Sequence, residues 1–322
     1  MVRIITMPEL PEVQTVVNDL NKKVIGRKIT GAWFDWPKVI KAPRPAAFER
    51  FLKGERILRA KRRGKNILIY LSGNKLLLVH QKMTGHMLVG KWKVEKNKRP
   101  EPIEPRALIT DPYNKYVHLI LYLDNGKMLA LSDLRKFAKV IAGPVSQVEN
   151  LPELKKLGPD ALDPKFQYAA FKKTISSEGR KIHQVLMDQE VIAGIGNIYS
   201  SDILWMAKVH PFKSAKKLSE NELKAIWQAI HKVLPRALKL RGTSVSDFRD
   251  TAGEKGKYGN VLLAYRREGE PCLRCGTKIK RVKLGGRSAH YCPKCQKSPA
   301  SFNGSIARAS PTVTCHSRRI LA

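Results

Sequence analysis

The chain has 322 residues, 43% of them hydrophobic, and carries 61 Lys and Arg against 27 Asp and Glu, a formal net charge of +34. That is enough apolar material for real cores and too much chain for one small domain, so two or three are expected. So large a positive excess points to a polyanion, nucleic acid ahead of an anionic membrane surface. No run approaches the roughly 18 apolar residues of a membrane span, and "MVRIIT" is too short for a signal peptide's apolar region; the expectation is a soluble, intracellular protein.

In chain order the first element is a helix. "MPELPEV" (7–13) leads into Val13, Val16, Val17 and Leu20, the i, i+3, i+4, i+7 stripe of an amphipathic helix. Pro11 suits its first turn, where a missing N–H costs nothing, and the glutamates suit its positive end. Strand signals follow: "NILIYL" (66–71) and "KLLLVH" (75–80) flank Gly73-Asn74, and 116–123 and 127–132 flank Asp124-Asn125-Gly126, a strong hairpin turn. The charged, Pro-rich stretch 93–106 reads as a loop. Residues 7–145 are thus expected to form a β-rich domain carrying one helix. From 151 the pattern turns helical, over 165–177, 181–189, 197–208, 219–239 and 244–250, giving an all-α domain at 151–250. Residues 251–260 are Gly- and Lys-rich and expected to be mobile. The tail 298–322 has no acidic residue and no periodicity and is expected to be disordered.

Four of the five cysteines form two C-x-x-C pairs. Cys272 and Cys275 are separated from Cys292 and Cys295 by 16 residues with Gly285-Gly286 at their middle, as in a β-hairpin. Four thiolates so spaced can close a structural tetrahedral zinc site; a redox pair or unmetallated thiols is the other reading. Residues 260–297 carry ten Lys and Arg and two acids, so this unit also suits phosphates. Cys315 stands alone.

Pro8 raises a chemical question. Inside a chain, a proline is normally a turn residue. At a free N-terminus its nitrogen is a secondary amine that can attack the C1′ of a sugar, form an iminium and expel the base, while a carboxylate such as Glu9 shuttles protons. That requires a chain starting at Met7 and losing that methionine; with residues 1–6 attached, Pro8 is an amide and no nucleophile. We expect residues 1–6 to be non-native or removed.

"MPELPEVQTVV" resembles the start of the bacterial formamidopyrimidine-DNA glycosylases, base-excision enzymes that remove oxidised purines. The resemblance continues through "RRGKNILIYL" (62–71), "HQKMTG" (80–85), "SDLRKFAKV" (132–140), "LGPDAL" (157–162), "LMDQEVIAGIGNIYSSDILW" (186–205), "REGEPCLRCGTKI" (267–279) and "GGRSAHYCPKCQK" (285–297), nearly the whole chain. It implies a multidomain α+β fold: an N-terminal β-sandwich catalytic domain with a leading helix (7–145), a helix–two-turn–helix DNA-binding domain (151–250) and a β-hairpin zinc finger (260–297). It implies a bifunctional glycosylase and AP lyase with one structural zinc, acting as a monomer on damaged duplex DNA in the cytoplasm, at the nucleoid.

By the same resemblance Pro8 would be the nucleophile, Glu9 the acid/base group, Glu12 their support, and Lys65 a group near the target's phosphates. Met83, Arg135 and Phe137 would fill the hole left by an everted base. Lys136, His118, Asn197 and Arg287 would also contact DNA, and 251–260 would close over the extruded base. Alone, Asn197 also suits a helix N-cap. Some positions depart from the family pattern. Lys136 and Ala138 stand where Arg and Gly are frequent, Asp202 where Glu is usual, and His183 where Lys is common, which would weaken a phosphate contact. Two other readings remain: a catalytically silent damage-binding protein on the same scaffold if the extension is retained, and an RNA- or ribosome-associated zinc protein, which leaves "MPELPEV" and "HQKMTG" unexplained.

Overall fold

A computed structural model describes residues 7–96, 98–245 and 247–299. The extension 1–6, Cys315 and the tail from 300 onward lie outside the described residues. The first helix, α1 (Leu10–Lys23), begins where "MPELPEV" places it: Glu9 is its N-cap, Pro11 sits in its first turn, and the Glu9 N–H donates to Glu12 Oε2 at 2.8 Å. Its stripe Val13, Val16, Val17 and Leu20 is buried in the core of a β-sandwich.

The sandwich comprises β1 (Ile29–Phe34), β2 (Ile40–Ala42), helix α2 (Pro45–Leu52), β3 (Ile57–Arg63), β4 (Asn66–Leu71), β5 (Lys75–His80), β6 (Gly85–Lys93), β7 (Glu101–Glu104), helix α3 (Arg106–Thr110), β8 (Val117–Leu123), β9 (Met128–Asp133) and β10 (Lys139–Pro144). One sheet runs β1-β8-β9-β6-β7 and the other β2-β10-β5-β4-β3. All pairs are antiparallel except β10 with β2. The two anticipated hairpins, β4–β5 and β8–β9, form at the expected places, the second displaced by one residue. The stretch 93–106 is a correction: it is not all loop, because β7 pairs with the end of β6 and α3 starts at Arg106. Its prolines are compatible with an edge strand, which needs no ladder bond on its open side.

Two short helices, α4 (Val145–Val148) and α5 (Pro152–Lys155), lead to α6 (Tyr168–Ser176), α7 (Ile182–Met187), α8 (Asn197–Met206) and α9 (Glu220–Lys239). The helix anticipated at 244–250 does not form. Arg241 and Gly242 adopt φ of 60° and 77°, reversing the chain after α9, and the Ser244 hydroxyl donates to Phe248 O. Local side-chain bonding there replaces the helical ladder. The stretch 251–260 is tied down: Lys257 N–H donates to Leu240 O and Tyr258 N–H to Gly242 O. A last hairpin, β11 (Lys280–Leu284) and β12 (Arg287–Tyr291), turns at Gly285-Gly286. Its Cys272, Ile279 and Cys292 share one apolar core with α6 to α9, and Leu10 of α1 reaches into the same core. Arg62 of β3 pairs with Asp160, and the Arg63 guanidinium donates to Gly158 O and Leu157 O, joining the sandwich to the helical part.

Candidate active site

The site is built where α1 meets α8. Glu9 is 2% exposed. Its carboxylate accepts the backbone N–H groups of Gly196 at 2.8 Å, Ile198 at 2.9 Å and Tyr199 at 3.4 Å. One residue is therefore the N-cap of α1 and the anion at the N-terminus of α8, where unpaired N–H groups and the helix dipole favour negative charge. The chain permits this approach through "GIG". A Cβ at Gly196 would lie 2.4 Å from Glu9 Cδ, and one at Gly194, whose φ is +108°, would lie 2.6 Å from Leu10.

Glu12 lies one turn on, also buried. It accepts the Tyr199 hydroxyl at 2.5 Å and the Thr243 N–H at 2.7 Å besides the Glu9 N–H. Of its partners on α8 and after α9, Tyr199 stands within "LMDQEVIAGIGNIYSSDILW", but nothing in the sequence around Thr243 marks it. Lys65, in the β3–β4 turn, is 7% exposed and not a solvated surface lysine. Burial pushes the Glu9 carboxyl up to about 7, against the pull of the Lys65 ammonium, and burial pushes Lys65 down, against the pull of Glu9 and Glu12. A carboxyl titrating near neutrality can both take and return a proton.

The Glu9 value carries a stability signature. Folded, its pKa lies above the ordinary 4.5, so the native state still holds a proton that the unfolded chain has released. This group's contribution to stability therefore falls as pH rises from about 4.5 through about 7. Urea unfolding of the Glu9→Gln variant should show it gaining on the parent between pH 5 and pH 8. A difference that stays constant across that range contradicts the shifted carboxyl.

A cavity of about 540 Å³ opens beside these groups, lined by Met7, Glu9, Lys65, Met83, Asn197 and Arg287 among others. Six residues from five separate motifs thus meet in one place. Pro8 is buried directly before Glu9. Met83 links the cavity to Arg135 and Phe137: the Arg135 Nη1 lies 3.3 Å from Met83 Sδ, and its guanidinium lies 4.5 Å from the Phe137 ring centroid. Phe137 is 50% exposed, unusual for so large an apolar ring. The loop beneath is fixed by buried Asp133, which accepts the Thr84 hydroxyl and the N–H groups of Arg135 and Ala138. "HQKMTG" and "SDLRKF" therefore bring Met83, Arg135 and Phe137 together.

The four cysteine sulfurs lie within 4.8 Å of one another. Zn–S bonds of about 2.3 Å in a tetrahedron place sulfurs about 3.8 Å apart. The Cys275–Cys292 and Cys275–Cys295 separations of 3.5 and 3.4 Å, with backbone N–H groups directed at Cys272 and Cys292, fit that ion.

Known proteins share this arrangement along the chain. Family models match the formamidopyrimidine-DNA glycosylase N-terminal domain over residues 7–140, the formamidopyrimidine-DNA glycosylase H2TH domain over 157–249, and a zinc finger found in FPG and IleRS over 269–297. A formamidopyrimidine-DNA glycosylase from Pelotomaculum thermopropionicum is 38% identical over 291 residues, 90% of this chain and 99% of that one. One from Herpetosiphon aurantiacus is 38% identical over 291 residues, 90% of this chain and 100% of that one. The chain belongs to the formamidopyrimidine-DNA glycosylase family. The structure of the Lactococcus lactis Fpg with DNA containing an abasic site superposes with a TM-score of 0.78 at 30% identity, covering 90% of this chain and 100% of that one.

As a formamidopyrimidine-DNA glycosylase, the chain carries its departures in specific places. His183, expected near a phosphate, is instead fully buried in α7 with neither ring nitrogen bonded among the described residues; burial pushes it down to about 3, and it stays neutral. Lys136 takes a left-handed φ of 58° and sets its ammonium 4.4 Å from the Trp36 ring centroid. His118 is not among the groups around the cavity; its Nδ1 lies 2.7 Å from Asp35 Oδ1. Asn197 is not the N-cap of α8, a place taken by Gly196, and its Oδ1 is buried without a partner among the described residues.

Asp202, which stands where Glu is usual, braces the strap between α9 and the zinc hairpin. It accepts the N–H groups of Leu263, Ala264 and Tyr265 and the Tyr258 hydroxyl, at 2.9 to 3.1 Å. Asp202→Asn would turn an amide N–H₂ toward those donors, and we expect a loss of about 2 kcal/mol, read as a lower midpoint of chemical unfolding. An unchanged midpoint would show that the strap holds itself.

Proposed function

We propose that this chain excises oxidised purines, 8-oxoguanine and formamidopyrimidines, from duplex DNA and cleaves the strand at the resulting site. The observation that carries this reading is the buried Glu9, held between two helix N-termini next to Pro8 on a cavity bordered by Lys65, Asn197 and Arg287. The basic surface brings the protein to DNA. Met83, Arg135 and Phe137 enter the stack as the damaged nucleotide leaves it, and Asn197, Arg287 and Lys65 hold the flanking phosphates.

The free Pro8 amine attacks C1′. Glu9 protonates the deoxyribose as its ring opens, and the base departs with a proton, leaving a C1′ iminium on Pro8. Loss of a C2′ proton expels the 3′ phosphate, a second elimination expels the 5′ phosphate, and water releases the sugar fragment and restores the amine. The product is a one-nucleotide gap. This chemistry needs Pro8 as first residue, so the working chain starts there. Zinc takes no part in it and holds the hairpin that carries Arg287. The reading also takes the protein as a monomer acting on the nucleoid in the cytoplasm.

Borohydride trapping on duplex DNA with one 8-oxoguanine, using protein from its native cells, tests this. We expect a covalent adduct that peptide mapping places on Pro8, and none from protein that keeps residues 1–6. Full excision by a Pro8→Gly variant of the shorter chain, or an adduct on Lys65, would remove Pro8 as nucleophile. DNA binding without any adduct would favour the silent binder.

A further inference from the structure

The zinc knuckles are fastened to one short piece of chain. The indole N–H of Trp205, the penultimate residue of α8, donates to Cys272 Sγ at 3.3 Å, and Trp205 is 7% exposed. The Arg274 guanidinium lies 4.1 Å from the Trp205 ring centroid and donates to the carbonyls of Trp205 and Met206. In the second knuckle, fully buried Gln296 accepts the Cys292 N–H and donates to Val209 O, both at 2.8 Å. Both knuckles thus close on residues 205–209.

A buried indole N–H can only donate, so it must find an acceptor. Here that acceptor is a zinc-ligand sulfur. Four thiolates around one Zn²⁺ leave a net charge of about −2, and each N–H directed at a sulfur stabilises that charge against protonation and loss of the metal. We propose that Trp205 is a positioning residue of the zinc site: its N–H holds the Cys272 thiolate and slows release of the metal, and it docks the hairpin on α8. The opposite end of α8, about 15 Å away at 1.5 Å per residue, supplies the N–H groups that hold Glu9. The inference rests on the four-cysteine site and not on the proposed chemistry, so either can fail alone.

Trp205→Phe removes the N–H and keeps an aromatic ring under Arg274. With the full zinc-loaded chain, transfer of zinc to a chromophoric chelator should be roughly 10- to 100-fold faster from the variant, the usual effect of losing an outer-sphere partner. Release within twofold of the parent from a folded variant would overturn the proposal. If the variant does not fold, the parent chain loaded with ¹¹³Cd decides. A scalar correlation between the metal and one indole N–H proton supports the Trp205–Cys272 bond, and its absence overturns it.

Discussion

Replacing Glu9 by Gln in a chain that starts at Pro8 should lower excision of 8-oxoguanine roughly 10²- to 10⁴-fold, the usual contribution of a positioned acid/base group, while leaving DNA binding nearly intact. Gln keeps the length of the side chain, and its carbonyl can still accept from Gly196 or Ile198. It cannot carry the proton. Single-turnover excision and a binding isotherm on the same duplex separate the two effects. If excision falls less than about tenfold, proton transfer at this step belongs to another group, with Lys65 the first to examine. A parallel loss of binding would instead mean that the α1–α8 junction has come apart.

The second large effect is expected far from the cavity. Arg249 is 2% exposed, and its Nε donates to Asp111 at 2.7 Å, with Phe248 O and the Tyr113 ring as further partners. Asp111 directly follows α3, just past the stretch 93–106 that reads as a loop in the sequence. Asp111→Ala would break the ion pair of a buried guanidinium, and such losses cost about 3–5 kcal/mol. Urea unfolding should show it. The double variant Asp111→Leu with Arg249→Met should recover part of the loss, since both members of this pair are removed together. A single-variant loss below about 1 kcal/mol would mean that the other partners of Arg249, Phe248 O and the Tyr113 ring among them, suffice. Because the Asn114 amide donates to Gly253 O from the same segment, Asp111→Ala should also loosen the chain around 249–253.

What could be read in the sequence followed local rules. The α1 stripe, the two hairpins and the four-cysteine spacing depend on neighbours a few residues apart, and each stands at or within a residue of its expected place. The wedge and Lys65 were legible only through resemblance, since nothing local distinguishes Met83 from a core methionine. What escaped was set by distant partners. Strands β1, β3 and β6 alternate too weakly to stand out, and pairing with β8, β4 and β9 fixes them. Residues 244–250 carry a helical pattern, but the positive φ at Arg241 and Gly242 sends the chain back to Glu12 and α1. His183 looks like a weakened phosphate ligand because a sequence does not show which face of a six-residue helix is enclosed. Asp202 has four donors that come from a strap some sixty residues further on.

The double role of Glu9 has a consequence for recombining such chains. Its side chain belongs to the first domain and all three of its backbone donors to the second, so the buried carboxylate proposed as the acid/base group is completed across a domain seam. A chimera joining the sandwich of one homologue to the helical part of another inherits a working carboxylate only if the donor's "GIG" turn approaches its new partner as closely as its old one. Crossovers between residues 145 and 157 divide this contact, and they also part Leu10 from the helical core and Phe248 from the sandwich core. Activity in such hybrids should therefore track the fit of Leu10 against Gly194 more than the stability of either half.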